Sequence, residues 1–68
     1  MKLISREWNE FLSKYENLWL ADNVSDIASD FDPDCAEGSV IMVISTGAAY
    51  MKNTAGKWQR IGSNEVIV

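Results

Sequence analysis

Three aspartates at alternate positions, Asp30, Asp32 and Asp34, stand directly before the single cysteine of the chain, Cys35. Alternate carboxylates are how a calcium loop begins, because hard oxygen ligands must converge on one cation. Counted from Asp30, however, the sixth position is Cys35 where such a loop needs Gly, and the twelfth is Ile41 where it needs a bidentate Glu. Pro33 stiffens the same stretch. The spacing therefore predicts a solvated, turn-rich segment and no metal site. Cys35 is no better placed as a nucleophile. A catalytic thiol needs an activating base, the chain contains no His, and three preceding carboxylates work against a thiolate. Gly38, Gly47, Gly56 and Gly62 lack the Lys-Ser/Thr neighbour of a phosphate loop and read as turn punctuation. No catalytic residue, cofactor or small-molecule substrate is expected.

The elements that would carry any site are limited by size. With 68 residues the chain is one small domain, which buries only roughly 60% of its unfolded surface. One Cys allows no internal disulfide, and one Cys without His builds no structural zinc site. A partner chain or self-association is then the expected source of extra stability. The net charge is −4. Residues 22–37 hold six acids and no base, whereas residues 38–68 hold Lys52, Lys57 and Arg60 against Glu65. That balance argues against a nucleic-acid partner, which needs a basic face. No apolar run reaches the length of a membrane span. Arg6, Glu7 and Glu10 interrupt any secretory leader, so synthesis in the host cytoplasm is expected.

Residues 3–20 read as an amphipathic helix. Ile4, Trp8, Phe11, Tyr15 and Leu18 recur at spacings of four, three, four and three, the helical period, and Ser5 fits an N-cap. Leu12 and Trp19 widen the stripe. Residues 21–37 read as an acidic linker in which Val24, Ile27 and Phe31 could pin a short helical turn to the core. Residues 38–68 change to strand periodicity. Val40, Met42 and Ile44 point one way and Ile41 and Val43 the other, so this strand is expected to be covered on both faces. Gly47 and Gly56 are expected to take positive φ in the turns before "AAYMK" and "KWQRI". Tyr50 and Trp58 would be neighbours on adjoining strands, and "EVIV" forms either a fourth strand or a peptide added to a neighbour. The expected fold class is α+β: an N-terminal helix, an acidic linker, and a three- or four-stranded antiparallel meander.

The segment "EGSVIMVISTGAAYMKNTAGKWQRIG" resembles a short meander of small tailed-bacteriophage proteins, through Gly38, Ser39, Val43, Thr46, Gly47, Tyr50, Gly56 and Trp58. The resemblance covers about 25 residues and not the predicted helix. It implies a non-enzymatic virion-associated protein encoded among head, neck and tail genes, and so a virion location. Its partners would be other virion proteins or further copies of itself. Trp8, Phe11, Tyr15 and Trp19 of the predicted helix stripe, Trp58 with Arg60, and the terminal Val66, Ile67 and Val68 are the candidate contacts, since large aromatics dominate binding hot spots. The alternative is a small acidic inhibitor of a host protein, with residues 22–37 mimicking nucleic acid.

Overall fold

The computed structural model describes residues 1–27 and 35–68. Five strands form one mixed sheet in sequence order: β1 (Lys2–Asn9), β2 (Lys14–Ala21), β3 (Val40–Val43), β4 (Ala49–Lys52) and β5 (Trp58–Arg60). Among the described residues there is no α-helix, only a 3-10 turn at Val24–Asp26. The expected α+β class, and the helix over residues 3–20 with its Ser5 cap, are therefore corrected. That segment is an antiparallel hairpin.

The hairpin turns on local chemistry. Asn9 Oδ1 accepts the Leu12 N–H at 3.1 Å, an Asx-type bond that closes a turn and competes with helix. Ser13 completes the reversal at φ 51°. Trp8 then lies opposite Tyr15, with ring centroids 4.9 Å apart and edge to face. The Arg6 guanidinium sits 3.6 Å from the centre of the Tyr15 ring. A helix would forgo this cross-strand cluster and leave β3 without its inner neighbour.

From β2 the chain crosses over and returns parallel, pairing Leu18 with Val40 and Ala21 with Val43. The described ends of this connection pack on one face of the sheet. Its 3-10 turn is held by the Asp26 N–H to the Asn23 carbonyl and by the Asn23 N–H to the Asp26 carboxylate, both 3.0 Å. Ile27 is buried and Val24 packs beside it, so the expected pinned turn is present at these two residues. Phe31, Pro33 and the three alternating aspartates lie outside the described residues. Cys35 and Ala36 are buried beside β2, where Cys35 makes a parallel bridge to Tyr15 and the Ala36 N–H meets the Tyr15 carbonyl at 2.7 Å. Ser39 Oγ accepts the Asn17 N–H at 3.0 Å.

The remainder is the expected antiparallel meander, β3–β4–β5. Gly47 and Gly56 take φ 69° and 77°. Ile41, Val43, Tyr50 and Trp58 point into the covered face with Ala21, Ile27, Cys35 and Ala48. Trp58 and Tyr50 sit diagonally across β4 and β5, the same-face neighbours that such a register brings within reach.

Candidate interaction surface

Strand alternation sends the other half of each strand to the opposite face, and no described residue covers it. Register places Leu18, Val40, Met51 and Gln59 in one row across four strands, and Leu20, Met42 and Ala49 in the next. Met42 is 50% exposed and Ile44 59%; Met51 and Ile61 are also exposed. The expectation that β3 is covered on both faces is therefore corrected: Ile41 and Val43 are enclosed, while Met42 is open. The apolar side chains on both faces of "VIMVI" were the available signal. The parity of Leu18 and Leu20 was masked by the helical reading of that segment.

The two sheet edges, by contrast, carry features that oppose addition. On the outer side of β1 the register slips between Leu3 and Ser5, and Lys2, Arg6 and Glu7 are exposed there. A bulge and charged side chains are the usual devices that keep an edge strand from pairing with another chain. Next to it Glu7 lies directly opposite Glu16, a like-charge pair that weakens the β1–β2 pairing itself. The β5 edge is occupied by the chain's own terminus. The Arg60 N–H bonds the Glu65 carbonyl, the Ile67 N–H the Trp58 carbonyl, and the Trp58 N–H the Val68 carbonyl, at 2.9, 3.0 and 2.9 Å. "EVIV" thus pairs within its own chain.

The candidate contact residues separate into three places. Trp58, only 2% exposed, belongs to the core and presents no surface to a partner. Ile67 and Val68 pack against that core with Trp19, while Val66 is exposed and Arg60 reaches Glu65 at 3.9 Å across solvent. Trp8 and Tyr15 form the hairpin cluster, Trp8 half exposed. Phe11 stands apart: at the hairpin tip it is 100% exposed, with the exposed Leu12 beside it.

At the opposite end of the open face a cavity of about 200 Å³ is lined by Leu20, Met42, Val43, Ile44, Ala48 and Ala49, with Gly47 at its rim. A second, of about 240 Å³, lies at Met51 and Ile61 but mixes in Asn53, Gln59 and Arg60. Among the described residues no group of three or more His, Cys, Asp or Glu gathers to hold a metal, and no helix is long and apolar enough to cross a membrane. The Cys35 carbonyl accepts a bond from Lys52 Nζ at 2.9 Å, which ties the crossover to β4.

The chain matches no protein-family model, no curated protein and no solved structure.

Proposed function

We propose that this chain is a non-enzymatic assembly module of a bacteriophage particle, joining copies of itself or a larger virion protein through the open face of its sheet. The observation that carries the reading is the asymmetry of the fold. Both edges carry features that oppose strand addition, Val24, Ile27, Cys35 and the terminus pack on one face, and the other face presents Leu18, Leu20, Val40, Met42 and Met51 in adjacent rows. Contiguous exposed apolar surface of this kind marks contact sites. The phage assignment draws on the resemblance carried by Gly38, Thr46, Gly47, Tyr50, Gly56 and Trp58, and the contact surface on the geometry. Mass spectrometry of purified particles from cells expressing the chain is the test. The protein is expected at a fixed copy number per particle; its absence from particles would sink the virion assignment.

A further inference from the structure

We propose that copies of this chain associate head to tail, the Phe11 tip of one hairpin seating in the Leu20–Met42–Ala49 cavity of the next. The proposal deepens the assembly reading above, on which it rests for its biological setting; its geometry is independent of the virion assignment.

The two halves of the contact lie at opposite poles. Strand β2 leaves the tip at Lys14 and reaches the cavity end at Ala21, so eight strand residues separate them, roughly 26 Å. Strand β3 runs parallel to β2 and carries the chain to the same far end, where the Ile44–Gly47 turn rims the cavity. A hairpin cannot fold back across that distance to bury its own tip. Among the described residues nothing packs on the Phe11 side chain, which is fully exposed, and a turn position has no folding need for a phenyl group, since turns favour Gly, Asn, Asp and Ser.

The cavity suits that group. An enclosed apolar cavity of about 150 Å³ accommodates benzene; this one is an open depression of about 200 Å³ lined by apolar side chains, room for one phenyl ring to seat with an edge towards solvent. The cavity at Met51 carries Arg60 and Gln59 and would leave polar groups unpaired beside a phenyl ring. Charge agrees with the same pairing. Glu10 precedes Phe11 in the turn, and Lys2 lies directly opposite Leu20 on the cavity side. Seating the tip brings Glu10 of one copy towards Lys2 of the next. Because tip and cavity are different surfaces, the contact is heterologous. It closes into a ring if the rotation between copies permits, and extends as a filament otherwise.

Sedimentation velocity of the full chain over a concentration series tests the proposal, with particle composition read separately. Wild-type protein is expected to form species larger than a dimer. Phe11→Asp removes the tip and Met42→Lys charges the cavity; each is expected to weaken association roughly 30-fold or more, as loss of a hot-spot contact does. Both positions are solvent-facing, so circular dichroism spectra matching wild type at dilutions where all are monomeric confirm that folding is intact. Mixing the two variants is decisive. Each retains one intact half, so a one-to-one dimer is expected and nothing larger. Glu10→Lys should weaken association, and Glu10→Lys with Lys2→Glu should restore it. A wild-type monomer at high concentration, assembly indifferent to Phe11→Asp, or failure of the mixture to dimerise would each overturn the proposal. If any of these occurs while the protein is still present in particles, the head-to-tail contact fails and the assembly reading stands.

Discussion

Two glycines and one serine carry the backbone reversals on which the sheet depends. Gly47 and Gly56 have positive φ, and nothing lies within 4 Å of a Cβ added at either. A substitution there meets backbone strain alone. Gly47→Val and Gly56→Val are each expected to lower stability by about 1–2 kcal/mol, the cost of left-handed geometry for an L residue and steepest for a β-branched one. Ser13, at φ 51°, already bears part of that cost, so Ser13→Gly should raise the melting temperature or leave it unchanged. Thermal unfolding of the three variants checks the opposite signs. The glycines were legible in sequence because each closes a run of turn formers, Ser-Thr and Asn-Thr-Ala. Ser13 was not, since a serine between Leu and Lys carries no mark of positive φ.

At the scale of elements, the three strands of the antiparallel meander could be read ahead, and the hairpin could not. The reason lies in a coincidence of spacing. Trp8 and Tyr15 are seven apart, two helical turns, and would stack along one helix face. A four-residue turn centred between Phe11 and Leu12 also brings them directly opposite. Both structures satisfy the same apolar pattern, and β1 and β2 lack the clean alternation that would have decided for strands. Tertiary pairing decides: β3 supplies Trp19 and Ala21 with strand neighbours at Ile41 and Val43, and local propensity yields to such context. The terminus was also open in sequence, as strand or as donated peptide. Its three backbone bonds to β5 and its cover over Trp58 make residues 65–68 part of the fold. Deleting them is expected to destabilise the monomer by about 2 kcal/mol or more, from lost hydrogen bonds and exposed apolar surface. A denaturant titration with unchanged stability after the deletion would assign the tail to a partner instead.

For the whole molecule, the apolar surplus was legible as a conflict between composition and size, but its location was not. A sheet with one face covered by a crossover leaves its other face bare, and which rows become bare depends on a parallel register that no short-range pattern encodes. That same register has a kinetic consequence. The hairpin β1–β2 and the meander β3–β5 are each closed by short turns and can form early, on the timescale of local loops. They are joined by the parallel pairing of Leu18–Ala21 with Val40–Val43, across the entire acidic stretch, and such non-local closure is what slows folding. The zipping of β2 against β3 is therefore the expected rate-limiting event. Ile41→Val, at the centre of that junction and fully enclosed, should slow refolding with little change in the unfolding limb of a stopped-flow chevron. Trp8→Ala, out on the hairpin and away from β3, should leave the late barrier untouched. Speed of folding in this chain is then governed by four paired residues in its middle, and the acidic stretch acts as the tether whose length sets how often the two halves collide.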